Sequence, residues 1–289
     1  MEKYCDLHSH STVSDGSFTP TELILEAERI GLEYIALTDH DTVGGISEAI
    51  EASKGKNIKL ITGIELSIDA EEFDFLGPDL KSIHVLGYLS HENIFKMEAY
   101  QAKLLAFREE RNIKTIEKAC EIGMPFTYEE LKKYSTGEIV SKGHFYKLLI
   151  EKGYAKDKDD AFARFLLPGG LIFVKKRKIS AADAVGMIVK NGGVAVFAHP
   201  LLMGLEAEVL DKLIVELKAI GISGLESIYS ENKPGETEKV IALAKKHGMI
   251  ITGGSDFHGI FKPGLSLGVG YGALRVPSSL GKNLAELLL

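Results

Sequence analysis

Six histidines and three carboxylates in this 289-residue chain recur at one kind of place, the edge of a short apolar run. His8 and His10 follow YCDL, with Asp15 in the next loop; His40 stands in TDHD; Glu65 ends LITGIE; His84 opens HVLGYL; His199 ends GGVAVFAH; Asp256 and His258 close MIITGGSDFH. Imidazole and carboxylate together form the donor set of Zn²⁺, Mn²⁺ or Fe²⁺. His-Ser-His places two imidazoles on the same side of an extended segment, because side-chain direction alternates with period two, and Asp-Phe-His does likewise near the other end of the chain. One HxH alone is a common pattern. HxH, TDH, AHP and SDFH together, each after a strand, are not. Nine donors exceed what one ion takes; three divalent ions would accept them at three protein ligands each, or four where a carboxylate bridges. With the carboxylates contributing about −3 when ionised, the remaining positive charge suits a phosphate dianion. The expected chemistry is metal-assisted hydrolysis of a phosphate ester. His199 and His258 are candidates for proton transfer at the leaving group, and Asp256 completes the catalytic set.

These donors need a scaffold that gathers residues up to 250 positions apart. Apolar runs at 4–8, 34–38, 58–67, 83–89, 193–198, 224–228 and 249–253 read as strands. Amphipathic stretches at 19–30, 42–53, 181–190, 206–219 and 235–247 read as helices, the first opened by Thr19, Pro20 and Glu22 and stopped by Gly31. Repeated β–α alternation predicts a parallel, barrel-like sheet, whose strand ends share one face. Between 98 and 171 the rhythm changes to helices alone, at 100–122, 128–134, 144–152 and 158–166, broken at Gly123-Met-Pro125 and Pro168-Gly-Gly170. The expected organisation is a barrel from 1–97 and 172–289, with 98–171 as a helical cap over the strand ends.

The formal net charge of −7 argues against a general electrostatic grip on nucleic acid, and 98–171 is nearly neutral, with 13 Lys and Arg against 12 Asp and Glu. A long polynucleotide is therefore not the expected partner, whereas a short oligonucleotide remains within reach. No apolar run approaches the ~20 residues that span a bilayer, and no apolar leader precedes Asp6. Cys5 and Cys120 are expected as free thiols in a reducing cytoplasm.

The motifs DLHSHSTVSDG, TDHDT, AHP and GSDFHG resemble the polymerase-and-histidinol-phosphatase (PHP) superfamily across essentially the whole chain. HVLGY at 84–88, the helical insertion, AFARFLLPGGLIFV at 161–174, GGVAVFAHP and DFHG…KPG…LG resemble, more narrowly, its nucleoside 3′,5′-bisphosphate phosphatases, a subgroup that also includes an enzyme trimming short RNA from the 5′ end. The resemblance implies a distorted (β/α)7 barrel with a helical insertion and a trinuclear metal site. It implies His8, His10, Glu65 and Asp256 as ligands of a first ion. Glu65 would bridge to a second, with His84 and His199, and Asp15, His40 and His258 would hold a third. All nine positions carry competent ligands. The implied reaction converts a nucleoside 3′,5′-bisphosphate to a nucleoside 5′-monophosphate and phosphate.

Two departures bear on substrate. Where Arg-Pro-His is usual in the insertion, this chain has Lys142-Gly143-His144, and lysine lacks the bidentate fork that arginine offers phosphate. Asn232 stands where close relatives commonly carry histidine. Lys142 and His144 are candidates to hold a second phosphate or the nucleotide, joined by Asn232 and by Arg108 and Arg111 at helical spacing. The plainer alternatives are a solvent-facing helix-start histidine and a mixed-charge face with Glu109 and Glu110. Asp39 is expected to support the ligands and Asp41 to cap the following helix; His91 and His247 read as surface residues. Competing functions are a 5′→3′ exonuclease on short oligoribonucleotides, a histidinol-phosphate phosphatase, a metal-dependent C–N hydrolase and a non-enzymatic metal-stabilised module. The C–N hydrolase commonly needs a carboxylated lysine at a strand end, where this chain has Glu65.

Overall fold

In the computed structural model, which describes residues 3–77, 82–134, 142–175 and 177–289, seven strands pair in sequence order. They are β1 (Cys5–Asp6), β2 (Tyr34–Leu37), β3 (Lys59–Asp69), β4 (Ser82–Leu89), β5 (Val194–Phe197), β6 (Gly224–Tyr229) and β7 (Ile250–Gly254). The Leu7 amide donates to the Gly253 carbonyl at 3.1 Å and the Asp256 amide to the His8 carbonyl at 2.9 Å. The last strand thus returns beside the first, and the barrel is nearly closed.

Cys5 and Leu7, Tyr34 and Ala36, Leu86 and Tyr88, and Val194, Val196 and Ala198 are buried in one core cluster, each set spaced by two residues. That is the period of side chains sharing one face of a strand. Each leucine or valine among them contributes about 1.5–3 kcal/mol by leaving water. Tyr88 is fully buried, and its hydroxyl donates to the Leu7 carbonyl at 2.7 Å. Gly63 makes the room: a Cβ there would lie 3.2 Å from the Tyr88 ring.

The expectation of a wholly parallel sheet is corrected at one strand. β1–β2, β2–β3, β5–β6 and β6–β7 are parallel, but β4 runs antiparallel to both of its neighbours. A parallel return is usually made through a helix that crosses over the sheet. Between β3 and β4 the described residues form only two short 3₁₀ turns, Ala70–Glu72 and Asp74–Leu76. The chain simply doubles back, pairing Ser67 with His84. His84, at the start of its strand, therefore stands at the same end of the barrel as the C-terminal ends of the parallel strands.

Helix α1 (Pro20–Arg29) starts at a capping box in which Thr19 and Glu22 satisfy each other's backbone amides, and Gly31 at φ +80° follows its end. The other helices are α2 (Ile46–Ser53), α3 (Glu98–Glu121), α4 (Tyr128–Lys132), α5 (Lys142–Glu151), α6 (Lys158–Ala161), α7 (Ala181–Lys190), α8 (Ala207–Ala219), α9 (Glu236–Lys246) and α10 (Ser278–Leu287). A π-helical turn, Phe162–Leu166, extends α6. The sequence reading has no counterpart for α10. Its Leu284 joins the barrel core and Gly281 lies against Tyr34, the first residue of β2, so it covers the end where the parallel strands begin. No helix among the described residues is long and apolar enough to cross a membrane, and both cysteines are free.

The chain divides into two compact units, Met1–Gln101 with Ile179–Leu289, and Ala102–Lys178. The first holds the barrel. The second, against 98–171 from the change in sequence rhythm, has its own core around Phe126, Leu131, Phe145, Leu149 and Phe165.

Barrel closure depends on a close strand crossing. A Cβ on Gly254 would lie 2.4 Å from the His8 Cβ and 2.5 Å from the His8 amide nitrogen. Gly254→Ala should cost about 1–3 kcal/mol of stability, read as a lower urea midpoint at unchanged m-value.

Candidate metal centre

Beyond β1 the chain stays extended, so His8 and His10 point to one side while the Ser9 hydroxyl turns away to donate to the Ala36 carbonyl at 2.6 Å. Asp6 is buried and accepts from the Ser255 amide at 2.9 Å, the Ser255 hydroxyl at 2.5 Å and the Gly268 amide at 2.8 Å. It ties the start of the chain to the loops after β7. Glu65 and His84 keep the parity of Ile61 and Leu86, so the interior face of β3 and β4 passes from apolar to metal-binding without a change of register.

Glu65 is the hub. Its Oε2 lies 3.2 Å from His8 Nε2, 3.2 Å from His10 Nε2 and 3.1 Å from His40 Nδ1; its Oε1 lies 2.9 Å from His84 Nδ1 and 3.0 Å from His199 Nε2. Asp256 Oδ1 lies 3.1 Å from His10 Nε2, 3.5 Å from His8 Nε2 and 3.4 Å from His258 Nδ1. Asp15 is more open, 3.3 Å from His258 Nε2 and 3.8 Å from His40 Nε2. All nine sequence candidates meet at one end of the barrel. Their ligand atoms form three groups, each within 4.8 Å: His8, His10, Glu65 and Asp256; His10, Asp15, His40 and His258; and His40, Glu65 and His84. His199 reaches the site through Glu65 and lies outside these groups.

The donors fit divalent cations. Nitrogens bound at 2.0–2.1 Å to one tetrahedral ion sit roughly 3.4 Å apart, and the His8 and His10 Nε2 atoms lie 3.1–3.5 Å from each other and from the Glu65 and Asp256 oxygens. His8 and His10 turn the same atom, Nε2, towards each other at 3.1 Å, and the buried His10 Nδ1 has no hydrogen-bond partner. Without a shared cation the packing of so many rings around two carboxylates must be compensated by protons. Burial pushes the His8 imidazole down, but Glu226, Glu65 and Asp256 hold it well above its ordinary value. Burial lowers His10 too, and hydrogen bonds with Asp256 and Glu65 raise it to about 9. Glu65 and Asp256 are held well below the carboxylate range despite burial, chiefly by the charge of His8. Burial raises Asp15, but His258, His40 and His10 together outweigh it, bringing it to about 2. Burial takes His40 down to about 4, with Glu65 only partly offsetting it.

Supporting groups fix the loops. Asp39 accepts from the Ser11 amide and hydroxyl, both at 2.7 Å, and from the Ser14 hydroxyl at 2.6 Å, ordering the segment that carries Asp15. Asp41 does not cap the next helix: α2 begins after Gly45 with no side-chain cap. Asp41 belongs instead to the link onto β3, accepting from the Ser67 amide at 3.1 Å and the Tyr100 hydroxyl at 3.3 Å. Asp41, His199 and Asp256, with φ of 55°, 29° and 56°, are the non-glycine residues at positive φ among those described, and all three border the cluster. Such backbone costs of order 1–3 kcal/mol each and persists where its surroundings over-determine it.

Sequence reasoning missed three partners. Glu226, an acid inside the apolar run GLESIY, lies 2.9 Å from His8 Nδ1. Tyr229 and Lys262 hold Asp256 Oδ2, at 2.8 and 2.6 Å. The legible signal was the acid in the middle of a central strand; Lys262 lies in the KPG segment at 262–264, which carried the resemblance without an assigned role.

The substrate candidates are less tightly placed. Arg108, Arg111 and His144 belong to the second unit, where the Arg111 guanidinium donates to Asn112 Oδ1 at 2.7 Å. The Lys142 side chain lies outside the described residues. Asn232 commits its amide nitrogen to the Ser227 carbonyl at 2.9 Å and the Thr237 hydroxyl at 3.1 Å, tethering its own loop. His91 is exposed as expected, whereas the His247 ring is only 12% exposed because it pairs with Asp211 at 2.8 Å, joining α9 to α8.

A barrel whose strand ends converge imidazoles on buried carboxylates defines a metal-dependent hydrolase. Residues 6–167 match the family model described as the PHP domain. The chain is 35% identical over 258 residues to a 5′-3′ exoribonuclease of Haemophilus influenzae, covering 89% of this chain and 91% of that one. It is 32% identical to a 3′,5′-nucleoside bisphosphate phosphatase of Chromobacterium violaceum, covering 91% and 90%. A solved structure from Bifidobacterium adolescentis, described as a metal-dependent phosphoesterase, superposes with a TM-score of 0.66 at 27% identity, covering 99% of this chain and 97% of that one. The chain belongs to the PHP domain family.

The metal-free cluster should show a characteristic pH dependence. Raised imidazoles contribute stability that is complete below their unfolded value, about 6.5, and lost as pH rises through about 9 for His10. The lowered carboxylates contribute stability present above about pH 4 and lost only as pH falls through their folded values. Chelator-stripped protein should therefore show a falling urea midpoint from pH 6.5 to 9. Metal binding needs deprotonated imidazoles, so it should tighten over the same range and release protons, measurable by calorimetry in buffers of different ionisation enthalpy.

Proposed function

We propose that the protein hydrolyses a phosphomonoester of a small nucleotide, converting a nucleoside 3′,5′-bisphosphate to the nucleoside 5′-monophosphate and phosphate, with three divalent cations at the strand ends. The observation that carries this reading is Glu65, whose two oxygens face imidazoles from five separate points of the chain. In it, His8, His10, Glu65 and Asp256 hold one ion; Glu65, His84 and His199 a second; Asp15, His40 and His258 a third. Mn²⁺, Zn²⁺ and Fe²⁺ all suit these donors. Bound cations supply Lewis acidity to a phosphoryl ester and lower the pKa of water beside it.

The chain's own residues do the positioning. Glu65, buried and charged, spaces the ligands on either side of it. Asp256 is oriented from behind by Tyr229 and Lys262, leaving Oδ1 to face the histidines. His199 and His258 retain slight solvent access, with side chains 13% and 9% exposed, and take the proton-transfer role at the leaving oxygen. Lys142, His144, Arg108, Arg111 and Asn232 are proposed to recognise the nucleotide and its second phosphate. The bisphosphate substrate is supported by the phosphatase relative from Chromobacterium violaceum. A second reading, release of nucleotides from the 5′ end of short oligoribonucleotides, is supported by the 35% identical relative from Haemophilus influenzae.

Phosphate release should be followed with nucleoside 3′,5′-bisphosphates, mononucleotides and histidinol phosphate, and nucleoside 5′-monophosphate release with a 5′-phosphorylated RNA pentamer, with metal content measured alongside. The bisphosphates should give the highest kcat/KM. Faster turnover of the pentamer would favour the second reading, and no turnover of any ester by metal-loaded protein would refute both. Asp256→Asn should lower kcat/KM by at least about 100-fold together with metal content.

A further inference from the structure

We propose that Glu226 is a positioning residue that presets two imidazoles of the centre at once, His8 through its ring and His199 through its backbone. The inference rests on the reading of this cluster as a metal centre. Glu226 lies on β6 beside a register shift between Glu226 and Ile228, an irregularity of the kind that re-aims a side chain. It is 1% exposed, and each oxygen has a separate partner: Oε1 lies 2.9 Å from His8 Nδ1, and Oε2 accepts from the His199 amide at 2.7 Å.

The contact with Glu226 Oε1 is filled in this arrangement by His8 Nδ1 as the donor. That leaves His8 Nε2 as the atom turned towards His10, Glu65 and Asp256, the direction in which a cation would be held. A carboxylate behind a metal-ligating imidazole fixes both its tautomer and its ring orientation. The second oxygen acts on a different strand end. His199 has φ 29°, a backbone conformation that L-residues rarely adopt, and its amide is held by Glu226. Its ring stacks on that of His8 with centroids 5.8 Å apart, and its Nε2 lies 3.0 Å from Glu65 Oε1. One buried side chain thus couples the end of β1 to the end of β5.

The test has two arms. In zinc-loaded wild-type protein labelled with ¹⁵N-histidine, NMR should show His8 protonated at Nδ1 and metal-bound at Nε2; the reverse arrangement overturns the proposal, and this arm needs no variant to fold. In the second arm, chelator competition compares wild type with Glu226→Gln, which keeps the shape and removes the charge. The variant should hold its tightest ion 10–100-fold more weakly, the range seen when such outer partners are removed. Affinity within twofold of wild type would overturn it. Failure of the wild type itself to bind metal would instead sink the underlying reading, and the proposal with it, and would be visible before any variant is made.

Discussion

A carboxylate with both oxygens removed from water has to be compensated where it stands. At Glu65 the compensation is supplied by histidines from β4 and from the ends of β1, β2 and β5, all within 3.2 Å. No single element could offer so many rings to one carboxylate. The barrel can, because its strands bring their ends to a common rim and the side chains there no longer belong to the apolar interior. Protons and divalent cations compete for the same positions, which makes the cluster's charge state and its occupancy two views of one equilibrium.

The reversed direction of β4 serves this arrangement. In a parallel β4 the first residues would lie at the far end, beside α10, and His84 would face the apolar plug. Run the other way, the strand delivers His84 opposite Ser67 and next to Glu65, while Leu86 and Tyr88 continue downward into the core. The strain at Asp41, His199 and Asp256 belongs to the same geometry: each lies where the chain must turn sharply off a strand and still aim a polar group inward. Hydrogen bonds from the Ser67 amide to Asp41 and from the His199 amide to Glu226 are among the contacts that hold those turns.

Much of this was legible in the residues. The pairs His8/His10 and Asp256/His258 announce themselves because period-two spacing at a strand end is a local property, and the helix start at Thr19 carries its own capping chemistry. What could not be read were relations between distant segments. Strand direction is invisible in an apolar run, and the residues between the third and fourth strands carry no mark of it. α10 escaped because Gly281 interrupts its pattern, for a reason found only in its packing against Tyr34. Asp41 looked like a helix cap by its position before α2, yet its backbone is committed to Glu65, whose carbonyl accepts its amide at 2.8 Å. Lys142, His144 and Asn232 were singled out by resemblance and Arg108 and Arg111 by helical spacing alone, and the contacts of Asn232 and Arg111 are with their own neighbours.

The antiparallel pairing of β4 with β5, Tyr88 opposite Val194, makes the whole stretch 90–193 the loop of a single oversized hairpin. Closing such a loop grows costlier only with the logarithm of its length. Residues can therefore be added to or removed from the middle of it, over evolutionary time, without shifting the strand register that aims His84 and His199. The register of the barrel rim is in this sense independent of the length of the excursion between its fourth and fifth staves.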